Sequence, residues 1–129
     1  MSAHGLERLP EVLNQYAPDL LVLIYGGNDL LGTNDQENAR ANLEARLRLT
    51  TARGFPVVML DVPAHGFILS SPDFYADLAA RASAPLDTKT LPAILSNDSL
   101  AFDLIHPNVE GCRLTTNAVF RLLADHGAL

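Results

Sequence analysis

The chain has 129 residues and a formal net charge of −6, with 48% hydrophobic and 19% charged residues. This length and composition predict a single globular domain over residues 1–129. The acidic balance, without a cluster of Lys and Arg, argues against a nucleic-acid-binding protein and against binding to anionic membrane surfaces. A lone cysteine, Cys112, excludes an internal disulfide and a zinc site built from several cysteines.

The amino-terminal third predicts a helix followed by a strand. The helix is indicated by apolar residues at spacings of three and four: Leu6, Leu9, Leu13 and Tyr16. Pro10 fits if it lies in the first turn of this helix, and Pro18 ends it. The apolar run within Asp19–Tyr25 shows no alternation, which predicts a parallel strand covered on both faces. Its six consecutive apolar residues are too few for a membrane-spanning helix, which needs about 20.

The rest of the chain predicts further alternation of helices and strands. A helix runs from Asn34 or Asp35 to about Arg53, a buried strand covers residues 57–60, and a helix covers residues 73–82. The segment 84–99 contains two prolines and is predicted to be rich in loops. A final helix begins after Pro107 and is expected to direct five apolar residues inward: Val109, Leu114, Val119, Leu122 and Leu123. This order predicts an α/β fold, a three-layer α/β/α sandwich with a parallel sheet.

Gly26-Gly27-Asn28-Asp29 follows the first predicted strand directly. Ligands of parallel sheets bind beyond the carboxyl ends of the strands, so Asn28 is placed to donate a hydrogen bond to a developing oxyanion. Gly26 and Gly27 allow a sharp turn and a close approach of the backbone. An ordinary turn is the alternative, because Gly, Asn and Asp are common turn residues.

Asp103-Leu104-Ile105-His106-Pro107-Asn108 is the second motif. A carboxylate three residues before a histidine can accept the Nδ1–H of the imidazole, which leaves Nε2 as a general base. The alternative is a capping box at the start of a helix, with a histidine nearby by chance. Asp61 and His65 could be combined with this pair into a metal site, but no spacing matches a known metal motif, so no metal is predicted.

Together, the two motifs resemble those of the SGNH (GDSL) hydrolases, and most closely the lysophospholipase, thioesterase and arylesterase branch. The resemblance implies a flavodoxin-like hydrolase fold and ester or thioester hydrolysis of small molecules without a cofactor. It assigns Asp103 and His106 to a Ser-His-Asp triad and Asn28 to the oxyanion hole, with Gly26 and Gly27 shaping the turn.

The family's Gly-Asp-Ser motif, which follows its first strand, has no counterpart in this sequence. We therefore expect that residues 1–129 correspond to the carboxyl-terminal portion of such a hydrolase, without its first strand, and that the isolated chain is inactive. The alternatives are a truncated, non-catalytic remnant, an acyl-binding module, or one part of a two-chain enzyme. Without the first strand, the strand within 19–25 is left at a sheet edge, which we expect to be covered by a second copy, by the missing fragment, or by the chain's own amino end.

Overall fold

The computed structural model describes residues 2–33, 35–64, 66 and 68–129, and for residues 2–4 it describes the backbone alone. In this part of the chain, helices and strands alternate as the sequence predicts. The helices are α1 (Ser2–Tyr16), α2 (Gln36–Ala52), α3 (Phe74–Ala82), α4 (Thr90–Leu95) and α5 (Val109–Asp125). The strands are β1 (Leu21–Ile24), β2 (Val57–Leu60) and β3 (Leu86–Asp87), and a single π-helical turn covers Asn28–Gly32.

The three strands form one parallel sheet in the order β1-β2-β3. All four residues of the central strand β2 are buried, as expected for a parallel strand between layers of helices. Helix α2 packs against α1, α3 and β2, while α5 packs against α4, β2 and β3. The α/β fold with a parallel sheet flanked by helices is therefore confirmed.

Local signals explain the boundaries of α2 and α5. The side chain of Asp35 caps α2 by accepting the backbone N–H of Asn38 at 3.0 Å. The side chain of Asn108 caps α5 by accepting the backbone N–H of Gly111 at 3.0 Å. Both are residues that commonly occupy the N-cap. Asn34, the other predicted start of α2, lies outside the described residues.

The prediction that the first strand is covered on both faces is wrong. Val22 and Ile24 in β1 are 40% and 45% exposed, whereas Leu23 between them is buried. Within the described residues β1 pairs only with β2 and lies at the edge of the sheet. One face of β1 therefore packs on the core, and the other is an accessible apolar surface.

Three further predictions are wrong in detail. Helix α1 begins at Ser2, so Pro10 lies in its interior and not in its first turn. The helix continues past Pro10 because Leu9 and Leu13 are buried in the core. Val109 is 90% exposed because it is the first residue of α5. The segment 84–99, predicted to be rich in loops, contains β3 and α4.

No helix in the described part of the chain has both the length and the apolar character that crossing a membrane requires.

Candidate functional site

Asp103 and His106 face each other in the loop between α4 and α5. The Nδ1 atom of His106 lies 2.9 Å from both carboxylate oxygens of Asp103. An ionised carboxylate only accepts hydrogen bonds, so Nδ1 carries a proton, and in the neutral imidazole Nε2 then has the free lone pair. The contact with His106, followed by the backbone N–H groups of Ile105 and His106, lowers the pKa of Asp103 below its ordinary value. The carboxylate therefore stays ionised and fixes the imidazole tautomer.

The backbone of this loop explains why the two side chains meet. Oδ1 of Asp103 accepts the backbone N–H groups of Ile105 and His106, both at 2.8 Å, so the chain folds around the carboxylate. The backbone N–H of Phe102 donates to the carbonyl of His106 at 2.8 Å and closes the loop. Asp103 therefore organises the turn, and the cap of α5 is Asn108, five residues further along the chain.

The turn after β1 presents Asn28 at the surface of a cavity. Asn28 is exposed and begins the π-helical turn, a feature frequent at functional sites. It lines a cavity of about 210 Å³ together with Gly26 and Gly27. Gly26 has a φ of +118°, a conformation that side chains rarely adopt, so glycine is required at this point.

The two motifs meet where Gly27 contacts Ile105. A Cβ atom at Gly27 would lie 3.2 Å from Cγ2 of Ile105, and Ile105 lines the same cavity as Asn28. The structure thus brings the glycine turn beside the loop that carries Asp103 and His106. The convergence of Asn28 and the His106 ring on one reacting atom remains a prediction.

A larger and mainly apolar cavity of about 430 Å³ adjoins the same contact. Gly27 and Ile105 line it together with Ile24 of β1 and Val62. Cys112 also lines it and is exposed, whereas the sequence suggests a small buried residue there. The cavity therefore connects the accessible face of β1 with the candidate catalytic loop.

Sequence reasoning missed a buried polar cluster behind the glycine turn. Asp61 follows β2 and is only 2% exposed, and its Oδ1 has no hydrogen-bond partner among the described residues. Burial, and secondarily the carboxylate of Asp87, raises the pKa of Asp61 to about 6, although the Ser71 hydroxyl opposes this shift. The buried hydroxyl of Tyr75 donates to the carbonyl of Tyr25 at 2.5 Å. The spacing of Tyr75 and Leu78 was the available signal, because residues three apart share one face of a helix. If Leu78 is buried, the phenol of Tyr75 is buried as well and needs a hydrogen-bond partner.

His65 lies outside the described residues. Among the described residues no group of three or more His, Cys, Asp or Glu side chains is placed to hold a metal ion.

Comparison with known proteins places this arrangement in context. The model of the GDSL-like lipase/acylhydrolase family matches residues 2–114. An arylesterase from Vibrio mimicus is 26% identical over 133 aligned residues, covering 97% of this chain and 66% of the arylesterase. The chain thus spans slightly less than two thirds of the length of that relative.

Solved structures show the same fold. The crystal structure of TesA has a TM-score of 0.75 and 27% identity, covering 95% of this chain and 72% of TesA. AlinE4, an SGNH-hydrolase family esterase, has a TM-score of 0.65 and 26% identity, covering 98% of this chain and 71% of AlinE4. A psychrotrophic esterase from Pseudoalteromonas, inhibited by monoethylphosphonate, shares the fold with a TM-score of 0.77, at 19% identity and covering 100% of this chain and 74% of the esterase.

Proposed function

Because the chain belongs to the GDSL-like lipase/acylhydrolase family, we propose that it supplies the general base and an oxyanion donor for ester or thioester hydrolysis. The observation that carries this proposal is the contact of His106 Nδ1 with both carboxylate oxygens of Asp103 at 2.9 Å. This contact prepares Nε2 to take a proton, which is the role of the histidine in a Ser-His-Asp triad.

The reaction proceeds in two acyl-transfer steps. His106 Nε2 takes the proton of a serine hydroxyl as the serine oxygen attacks the ester or thioester carbonyl. Asn28 donates a side-chain N–H to the oxyanion of the tetrahedral intermediate. His106 then protonates the leaving alcohol or thiol, and the same sequence with water releases the acid. Asp103 keeps the imidazole in the reactive tautomer and stabilises its charged form.

We propose that the nucleophilic serine lies on a further strand that pairs with β1. The edge of β1 is open among the described residues, and Val22 and Ile24 present an apolar face there. Ile24 also lines the cavity of about 430 Å³ beside Gly27 and Ile105. A strand added at this edge would end close to the catalytic loop, because parallel strands end at the same side of a sheet.

A second copy of the chain is the competing occupant of this edge. Helix α1 packs against α2, so in the described structure the amino end of the chain does not pair with β1. Unpaired backbone groups that become buried cost about 1–3 kcal/mol each, which favours pairing by one occupant or the other. Light scattering of the purified chain distinguishes the two cases. A dimer indicates that a second copy pairs with β1, and a monomer indicates that the edge of β1 is free for another strand.

The test is complementation with a designed peptide that contains six apolar residues followed by Gly-Asp-Ser. We expect the chain alone to hydrolyse p-nitrophenyl acetate no faster than buffer, and the mixture to hydrolyse it. A Gly-Asp-Ala peptide and the variant His106→Ala are the matched controls, and both should abolish the activity. Stoichiometric labelling of a serine of this chain by a fluorophosphonate, located by mass spectrometry, would overturn the proposed source of the nucleophile.

Cys112 provides a direct measure of docking. It is the single cysteine of the chain and lines the cavity beside Gly27, so a docked peptide should slow its reaction with a thiol reagent. If the peptide protects Cys112 but no hydrolysis follows, the site binds a strand without the proposed chemistry. The acyl-binding alternative instead predicts that a fatty acid protects Cys112 in the chain alone.

A further inference from the structure

The phenol of Tyr75 reaches from α3 to the residue that precedes the glycine turn. Its side chain is 1% exposed, and its hydroxyl donates to the carbonyl of Tyr25 at 2.5 Å across 50 positions in the sequence. This hydrogen bond fixes the peptide plane between Tyr25 and Gly26, which sets the direction in which the chain enters the turn.

Gly26 is shaped to receive this hydroxyl. A Cβ atom at Gly26 would lie 2.5 Å from the Tyr75 hydroxyl, closer than such atoms can approach without displacement. Gly26 also has a φ of +118°, so a side chain would be strained for conformational reasons as well. The Tyr75 hydroxyl therefore occupies the space that a side chain at residue 26 would need.

A second set of contacts holds the other side of Asn28. The hydroxyl of Tyr25 donates to Oδ2 of Asp29 at 3.1 Å, and the guanidinium of Arg46 lies 4.0 Å from the centre of the Tyr25 ring. The backbone N–H of Asp35 donates to the carbonyl of Asp29 at 2.8 Å. Asn28 is thus exposed, but hydrogen bonds hold the backbone in place both before it, at Tyr25, and after it, at Asp29.

We propose that Tyr75 is a positioning residue that presets the Asn28 turn for oxyanion binding. The catalytic part of this inference rests on the proposed function, in which Asn28 stabilises the tetrahedral intermediate. Such stabilisation depends on donors that are already in place before the reaction, and a misplacement of about 1 Å can cost on the order of 100-fold in rate. Tyr75 acts through the Tyr25 carbonyl and has no contact with the substrate in this scheme.

The first experiment compares Tyr75→Phe with Tyr16→Phe by nuclear magnetic resonance of the full chain. Tyr75→Phe removes only the hydroxyl, and Tyr16, which is 68% exposed, is the matched control. We expect Tyr75→Phe to shift the amide resonances of Gly26, Gly27 and Asn28. Hydrogen exchange at Leu30, whose N–H donates to the Gly26 carbonyl at 2.8 Å, should become about tenfold faster. Unchanged resonances at Gly27 and Asn28, or an equal change throughout the chain, would overturn the proposal.

If Tyr75→Phe does not fold, the hydrogen bond of Tyr75 can be tested by nuclear magnetic resonance of the wild-type chain. The Tyr75 hydroxyl proton should then appear as a slowly exchanging resonance with a cross-peak to the Gly26 amide. A rapidly exchanging hydroxyl proton would contradict the proposal. Both measurements are independent of any catalytic activity, so the failure of the proposed function would not affect their outcome.

The second experiment uses the chain complemented with the Gly-Asp-Ser peptide. Tyr75→Phe should lower kcat for p-nitrophenyl acetate at least tenfold while KM and the peptide affinity stay within about twofold. A purely structural role would instead weaken peptide binding or reduce the folded fraction. A kcat equal to that of Tyr16→Phe would contradict the positioning role even if the peptide supports full activity.

Discussion

Gly27 lies against Ile105, and this contact joins two sequence motifs that are nearly 80 residues apart. A methyl group at Gly27 would lie 3.2 Å from Cγ2 of Ile105, slightly closer than an ordinary contact. Ile105 lies between Asp103 and His106, so the orientation of the catalytic loop depends on how closely the glycine turn can approach it.

A double-mutant cycle tests this contact. Gly27 has a helical φ of −53°, so alanine fits the backbone and its cost comes from crowding against Ile105. We expect Gly27→Ala to destabilise the chain by about 1–2 kcal/mol, and to cost less in the Ile105→Ala background, where Cγ2 is absent. Urea denaturation measures all four species. Additive effects would show that the two residues are not coupled.

Asp103→Asn should reverse the tautomer of His106. Asparagine can donate its side-chain N–H to Nδ1, which would leave the imidazole proton on Nε2, where it blocks general-base catalysis. In serine proteases the corresponding change lowers kcat about 10⁴-fold, and a loss of similar size is expected in the peptide-complemented chain. The ¹⁵N shifts of the His106 ring report the tautomer without any activity. His126, whose Nδ1 lies 2.8 Å from the Leu122 carbonyl, is the internal control and should not change.

Asp61→Asn should remove a dependence of stability on pH. The pKa of Asp61 is raised from its ordinary 3.8 to about 6 in the folded chain, chiefly by burial. Its contribution to stability is therefore full below pH 3.8 and is lost as the pH rises through about 6. Asp87 and Tyr75 are the titratable groups that face it.

Relative to wild type, Asp61→Asn should gain about 2 kcal/mol of unfolding free energy between pH 4 and pH 8. Denaturant titrations across this range measure the gain, with Asp98→Asn as the exposed control. A constant difference between Asp61→Asn and wild type at every pH would show that Asp61 has an ordinary pKa in the folded chain.

The elements set by local signals were predictable, whereas those set by tertiary packing were not. Asp35 and Arg53 flank α2 where the capping and stop signals indicate. The exposure of Val22 could not be predicted, because the composition of a strand does not reveal whether a neighbouring strand covers it. The segment containing β3 and α4 was obscured by Pro85 and Pro92, since proline indicates loops unless packing holds the chain in another form.

The same distinction holds for the candidate site. Asp103 and His106 are three residues apart, so a single turn can join them and the pairing could be predicted from spacing. The hydrogen bond from Tyr75 to the Tyr25 carbonyl joins residues 50 positions apart. It depends on where tertiary packing places α3 relative to the residue that follows β1, which no local pattern specifies.

Asn28→Ala should abolish most of the activity of the peptide-complemented chain while leaving the fold intact. The side chain of Asn28 is exposed, so its removal should change the free energy of unfolding by no more than about 0.5 kcal/mol. Loss of one oxyanion donor typically lowers kcat about 10²- to 10³-fold, and KM should change little because the donor acts mainly in the transition state. Asn117→Ala, at a half-buried residue of α5 that lines a different cavity, is the matched control. A large rise in KM with kcat preserved would identify Asn28 as a substrate-binding residue, and an unchanged kcat/KM would remove it from the site.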